Sequence, residues 1–175
     1  MASTSSSSIR SSMILCVVCA FLLIQSTSNP ISNLCAKSKN PSFCLSVLND
    51  YFHQNLNDLT ETTINLAKTN ASSTAVKINF LLNQTSDSNL EEIYNLCTTY
   101  YNGAIRALGN AQQFLDMGQY QNLNTVANLV VQDAFNCEVT FEVTPGYVSN
   151  ITKENDDLQN LGAIVIAAAN LLASA

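Results

Sequence analysis

Two apolar seams in the middle of the chain restrict it to packed helices. Leu90, Tyr94, Cys97, Tyr101, Ala104, Leu108, Ala111 and Leu115 recur at intervals of 4, 3, 4, 3, 4, 3 and 4, and Leu123, Ala127, Val130, Ala134, Cys137 and Phe141 at 4, 3, 4, 3 and 4. That alternation lines one side of an α-helix along its whole length, whereas a half-buried strand needs a period of two. Ser88 with Glu91 three residues later predicts a capping box at the start of the first helix, hydroxyl and carboxylate satisfying free backbone N–H groups. Gly118 and the polar run Gln119 to Asn124 separate the seams, and so short a connection makes the two helices antiparallel neighbours. Each seam carries one cysteine, and their midpoint is residue 117, beside the turn glycine. Because both helices rise about 1.5 Å per residue from that turn, Cys97 and Cys137 reach the same height, as a disulfide requires.

The flanking segments read as further helices. Asn40 as cap with Pro41 at the first position predicts a short helix to about Asn49, which forms a small hairpin with the segment Pro30 to Lys37. A long helix is expected from Asn57 to Leu82, with Ile64, Ala67, Ala71, Ala75, Ile78 and Leu82 on one stripe. After the central pair, Val143 to Ser149 contains Pro145-Gly146 and reads as a loop. Thr152 is then expected to cap a last helix whose first turns carry Glu154, Asp156 and Asp157, where negative charge suits the helix dipole. Leu158, Leu161, Val165, Ala168 and Leu172 form its seam. The stretch Leu161 to Ala175 is apolar enough for a lipid-anchor tail but lacks the polar spacer of such a signal, so a buried helix is the reading.

Residues 1 to 28 read as a secretory signal peptide, with Arg10 as the positive region, Met13 to Ile24 as the apolar core and Ser26-Thr27-Ser28 as the cleavage site. An apolar run of about 12 residues is too short to span a bilayer. Residues 29 to 175 are then one domain, poor in glycine and proline and without tryptophan, which favours helices. Loss of Arg10 takes seven Lys+Arg to six against 13 Asp+Glu, a formal charge of −7. Such an acidic chain is a poor partner for nucleic acid or an anionic membrane and a good one for a basic protein. Four cysteines remain in an exported chain and read as two disulfides; the hairpin selects Cys97 with Cys137, leaving Cys35 with Cys44. The closed loops contribute on the order of 4 and 3 kcal/mol on the chain-entropy model. Zinc is the weaker reading, since the cysteines are not in paired short spacings and His53 is the only histidine. Three glycosylation sequons occur, at Asn83, Asn150 and Asn70, the last ranked lowest because it falls inside a predicted helix.

No constellation supports catalysis, and no cofactor or metal site is expected. His53 has no Ser, Cys or metal-ligand partner in a recognisable spacing and reads as a solvated surface side chain. Glu91, Glu92, Asp156 and Asp157 are accounted for by their places in first helical turns. Tyr94 and Tyr101 are seam positions and read as core rather than as a stacking platform with Tyr100.

Cys35 and Cys44 separated by eight residues, then Cys97 and Cys137 on successive helices, resemble the plant invertase and pectin methylesterase inhibitor family. Similar too are the motifs Leu96-Cys97-Thr-Thr-Tyr100-Tyr101-Asn-Gly-Ala104, Val131-Gln-Asp-Ala134-Phe-Asn-Cys137-Glu138-Val-Thr-Phe141 and Leu161-Gly-Ala163-Ile164 with Asn170-Leu171-Leu172. Val148 to Asn155 is similar to the branch that includes the plane-tree pollen allergen. The resemblance spans about Pro30 to Leu172 and implies an all-α fold: an antiparallel four-helix bundle preceded by a short disulfide-stapled helical hairpin. It implies the same disulfide pairing as the hairpin geometry. It also implies a non-enzymatic inhibitor that binds one-to-one over the active-site cleft of a carbohydrate-acting enzyme, in the apoplast or else the vacuole. Invertase inhibitors of the family use a Pro-Lys-Phe motif before the last helix; here the candidate target-contact loop is Thr144, Pro145, Gly146 and Tyr147, without Lys or Phe. That departure favours pectin methylesterase over invertase as partner. The rival of another class is a small secreted lipid carrier, which needs a cavity where these seams alternate large residues with alanines, as a filled core does.

Overall fold

A computed structural model describes residues 29–175. The signal peptide read at residues 1 to 28 lies outside them. Among the described residues there are six α-helices: α1 (Pro30–Lys37), α2 (Pro41–Leu48), α3 (Leu56–Gln84), α4 (Ser88–Asp116), α5 (Tyr120–Glu142) and α6 (Thr152–Ala173), with a 3₁₀ turn at Asn49–Tyr51 after α2. Helices α3 to α6 pack as a bundle, α4 against α5, α5 against α6, and α3 against both α4 and α6. The hairpin of α1 and α2 sits on α6 and the start of α3.

The helix ends follow local chemistry, with two corrections. Asn29, Asn40 and Asn55 cap α1, α2 and α3, each side chain accepting from a backbone N–H of the first turn. At α4 the cap is Asp87 and not Ser88: its carboxylate accepts from Asn89 N and Leu90 N, and Ser88 becomes the first helical residue. A carboxylate is a stronger acceptor than a hydroxyl at the positive end of a helix. Nor does Thr152 cap α6. Its hydroxyl donates instead to Glu138 Oε1 on α5 at 2.6 Å, and the α6 start at Ile151 has no side-chain cap. Gly118 closes α4 at φ +66°, a left-handed conformation that side chains disfavour, and the next helix begins two residues later.

The α4 and α5 seams are buried as their periodicity predicts, save Leu90, which is half-buried while Ile93 takes its place inside. Tyr94 and Tyr101 are 1% and 0% exposed, and Tyr94 meets Phe141 edge to face at 5.7 Å. The two disulfides join Cys35 to Cys44 and Cys97 to Cys137, with Cα–Cα separations of 5.3 and 4.7 Å. On α3, Ile64, Ala67, Ala71 and Ile78 are buried and Ala75 and Leu82 lie at the margin.

The apolar interior forms two clusters. Leu158, Leu161, Val165 and Ala169 of α6 face the bundle core, whereas Ile164, Ala167 and Ala168 meet Ile31, Leu34, Cys35, Cys44, Leu48 and Leu59 under the hairpin. Helix α6 is thus buried on two sides. It packs tightly on α5 at Gly162, where a Cβ would lie 2.7 Å from Val131 Cγ2.

One polar group interrupts the α6 seam. Asn155 is fully buried; its Oδ1 accepts from the Tyr101 hydroxyl at 2.7 Å, and its Nδ2 donates to Glu138 Oε2 at 2.6 Å and to Cys137 Sγ at 3.7 Å. Burial pushes the Tyr101 hydroxyl far above the ordinary phenol range, so it remains a donor at every physiological pH. A neighbouring ion pair, Lys77 to Glu154 at 2.6 Å, joins α3 to α6. With both side chains partly exposed, it contributes at most about 1 kcal/mol.

Two substitutions test this packing. Tyr101→Phe keeps the ring and strands Asn155 Oδ1, which should lower the unfolding free energy in urea by about 1–3 kcal/mol. Gly162→Ala should lower it by about 1–3 kcal/mol through overpacking against Val131, and a loss much smaller than that would mean α5 and α6 are not in close contact there.

Candidate functional site

Two surfaces are open to a partner, the loop end of the bundle and its helical flanks. The loop begins where α5 stops at Glu142. Thr144 donates its hydroxyl to Thr140 O at 2.8 Å and its N–H to Phe141 O at 3.2 Å, folding the chain back over the helix end. Tyr147 then reaches across to the α3–α4 corner. Its hydroxyl lies 2.9 Å from both carboxylate oxygens of Asp87 and accepts from Asn89 Nδ2 at 3.3 Å. Of the four candidate loop residues, Thr144 and Tyr147 are therefore half-buried and engaged, and Pro145 and Gly146 are exposed. The backbone N–H of Leu90 and the Tyr147 hydroxyl together hold the Asp87 carboxyl below its ordinary value. The loop is a strut fastened at both ends.

The flanks are broad and rich in amides and hydroxyls. On α4, Ser88, Glu91, Glu92, Asn95, Leu96 and Thr99 line a shallow groove of about 440 Å³. Farther along, Gly103, Arg106, Asn110, Leu129 and Asp133 border a second groove of about 280 Å³ between α4 and α5. Burial raises the Asp133 carboxyl above its usual range, and the Arg106 guanidinium partly offsets this. Leu129 and Phe135 are each about half exposed on α5, at 53% and 49%, about 120° apart around the helix. These surfaces present acidic and neutral polar groups around isolated apolar side chains.

The residues singled out for chemistry stay apart. His53 is exposed in the turn after α2, its ring 3.8 Å from that of Phe52. All four cysteines of the described residues are in disulfides, so none offers a free thiol. Among the described residues no group of three or more His, Cys, Asp or Glu side chains could hold a metal ion, and no helix is long and apolar enough to cross a membrane. The core is filled by Tyr94, Tyr101, Phe141 and the leucines and isoleucines around them. Asn83 is exposed in the last turn of α3 and Asn150 in the loop, whereas Asn70 is half-buried in mid-helix. The sequence reading missed Asp87 and Asn89 as partners of the loop; the only local sign was the Asp-Ser-Asn run that offers two adjacent caps.

The plant invertase/pectin methylesterase inhibitor family profile matches residues 29–167. A pectinesterase inhibitor of Actinidia deliciosa is 34% identical over 152 residues, covering 85% of this chain and 82% of the relative. A putative invertase inhibitor of Platanus acerifolia is 31% identical over 108 residues, covering 62% of this chain and 60% of the relative. In three dimensions, the crystal structure of a mutant form of a pectin methylesterase inhibitor from Arabidopsis superposes with a TM-score of 0.76 at 27% identity, over 82% of this chain and 97% of that one. With six helices in the expected order, two disulfides joining first to second and third to fourth cysteine, and a profile match over most of its length, the chain belongs to the plant invertase/pectin methylesterase inhibitor family.

Proposed function

We propose that this chain is exported by its leader and inhibits a pectin methylesterase in the cell wall, without catalytic activity of its own, binding one-to-one through the helical flanks of the bundle. The Tyr147 strut carries the choice of surface: a side chain already bound to Asp87 and Asn89 is not free to enter an active site, whereas the flanks are free along their length. The relatives named pectinesterase inhibitor support the target, as does the lack of Lys and Phe after Pro145. An invertase is the second target, favoured by the Platanus relative and by the family's invertase inhibitors. A formal charge of −7 without the leader assists encounter with a basic enzyme.

The purified protein should be assayed against both enzymes at the mildly acidic pH of the cell wall. Inhibition of the esterase is expected; strong inhibition of invertase with none of the esterase would overturn the choice of target. Tyr147→Phe should leave esterase inhibition within about twofold, as a surface change away from the contact does. Association should slow with added salt, because the screening length falls from about 30 Å at 0.01 M to about 8 Å at 0.15 M.

The strut itself has a predictable pH range. The folded-state pKa of Asp87 is depressed, so its stabilising contribution is complete above the unfolded value near 3.8 and is lost as pH falls through the lower folded value. The stability gap between the parent protein and Asp87→Asn should therefore hold from neutral pH down to about pH 5 and close only below about pH 4. A gap that closed near pH 6 would exclude Asp87 as its source.

A further inference from the structure

Formal charge is spread unevenly over the bundle. Glu91, Glu92 and Asp116 on α4 and Asp133, Glu138 and Glu142 on α5 are answered on those two helices by Arg106 alone. Helix α3 packs on α4 and α6 and lies diagonal to α5. At about 100° per residue, no Asp, Glu, Lys or Arg of α3 between Thr62 and Gln84 falls within about 60° of Thr69, so its outer face is uncharged over most of its length. At the hairpin end of that face, Tyr51 of the 3₁₀ turn and Thr62, Asn65, Leu66 and Thr69 of α3 line a groove of about 270 Å³. The four helical residues stand at i, i+3, i+4 and i+7 and form one stripe.

The groove has hydrogen-bonding capacity that the fold leaves unused. Thr62 spends its hydroxyl proton on Gln54 Oε1 at 2.9 Å and Thr69 spends its own on Asn65 O at 3.0 Å, so both oxygens keep lone pairs free. The Asn65 amide and the Tyr51 hydroxyl make no hydrogen bond within the described residues and can each donate and accept. Leu66 is half-buried against the core and supplies an apolar floor, with the Tyr51 ring beside it. A pyranose ring carries the matching surface: hydroxyls around its rim that donate and accept, and C–H groups on its faces that favour the electron-rich face of an aromatic ring. No cation lines the groove, and a chain at −7 without its leader repels a carboxylated sugar, so the fit is to an uncharged one. A protein partner needs about 800 Å² on its side with an apolar centre, and this groove offers one leucine.

We propose that the groove between Tyr51 and α3 binds uncharged pyranose residues of a polysaccharide, one ring against Tyr51 and Leu66 and the rest of the chain along the outer face of α3. Beyond Thr69 that face presents Ser72, Ser73, Val76 and Phe80, all exposed, and Phe80 is a second ring for a sugar to lie against. From Thr62 to Phe80 the helix rises about 27 Å, at 1.5 Å per residue, a length for several sugar rings in line. A methyl-esterified polyuronate and a neutral glucan share the required chemistry, whereas a de-esterified polyuronate lacks it. For its biological meaning the site rests on the reading of the chain as an exported inhibitor: it holds the protein on the wall by a face diagonal to α5.

The test uses the secreted, disulfide-bonded protein labelled with nitrogen-15 and titrated with three oligosaccharides of equal length, a methyl-esterified oligogalacturonide, a cello-oligosaccharide and a de-esterified oligogalacturonide. Shifts are expected at the Asn65 side-chain amide and the backbone N–H groups of Thr62, Leu66 and Thr69 with an uncharged oligomer, and binding at least tenfold weaker for the de-esterified one. A response to only one uncharged oligomer supports the site and names its source. No shift with either, shifts centred on another helix, or tightest binding of the de-esterified oligomer overturns the proposal. Tyr51→Leu should weaken binding by tenfold or more. Asn65→Ala removes an exposed side chain without partners in the fold, so it should fold as the parent does and weaken binding about fivefold, the effect of one hydrogen bond; unchanged affinity in Asn65→Ala overturns the site. The same variant should inhibit the esterase as the parent does, and lost inhibition would overturn the flank reading of target binding while the shifts still decide the sugar site.

Discussion

The register of α4 against α5 is fixed by one covalent link, Cys97 to Cys137, and the upper half of the bundle is built at the height it sets. One turn of α4 beyond Cys97, Tyr101 presents its hydroxyl to Asn155. Beside Cys137 on α5, Glu138 presents a carboxylate to Asn155 and to Thr152. Helix α6 enters the bundle where these groups meet. A sliding of α4 past α5 by one residue, about 1.5 Å, would break the donor and acceptor contacts at Asn155 together. The buried asparagine thus reads the register that the disulfide sets, as a polar group at a helix seam does when it selects one packing over its neighbours.

What was legible in the sequence depended on how local its cause is. The long seams, the turn at Gly118 and the pairing of Cys97 with Cys137 follow from spacing along one or two helices, and spacing survives whatever lies across the interface. The caps of α4 and α6 did not follow. Asp87 and Ser88 are both acceptable caps, and the choice is reinforced by Tyr147, sixty residues away; Thr152 is an acceptable cap whose hydroxyl is drawn off by Glu138. Asn155 falls three residues before Leu158, on the extension of the α6 seam, yet an asparagine there looks like the end of the apolar stripe until Tyr101 is in place. The candidate loop was legible as a loop from Pro145-Gly146 and illegible as a strut, since its anchor belongs to another corner of the bundle.

Charge and shape divide the labour on the surface. The interior takes in Tyr94, Tyr101 and Phe141, while amide, hydroxyl and carboxylate groups meet solvent along α4 and α5 around the exposed Leu96, Leu129 and Phe135. On the proposed flank reading, such a surface would recognise by many shallow contacts and gain speed of encounter from its net charge, while a disulfide-clamped pair of helices limits the ordering that binding would otherwise require. The flanks run the length of α4 and α5, 29 and 23 residues.

The two-sided burial of α6 bears on how the chain is made. The apolar face of the hairpin is completed by Ile164, Ala167 and Ala168, which lie at least 120 residues after Cys44. At 5–20 residues per second, the hairpin emerges roughly 6–25 s before the α6 surface that covers it, with Leu56, Leu59 and Leu66 of α3 arriving early. In that interval Leu34 and Leu48 have each other's helix and the start of α3 to rest on, and the short Cys35–Cys44 bridge is the disulfide that the hairpin closes from its own residues. The ten-residue span from Cys35 to Cys44 is thus constrained from within, ahead of the α6 residues that complete its apolar face.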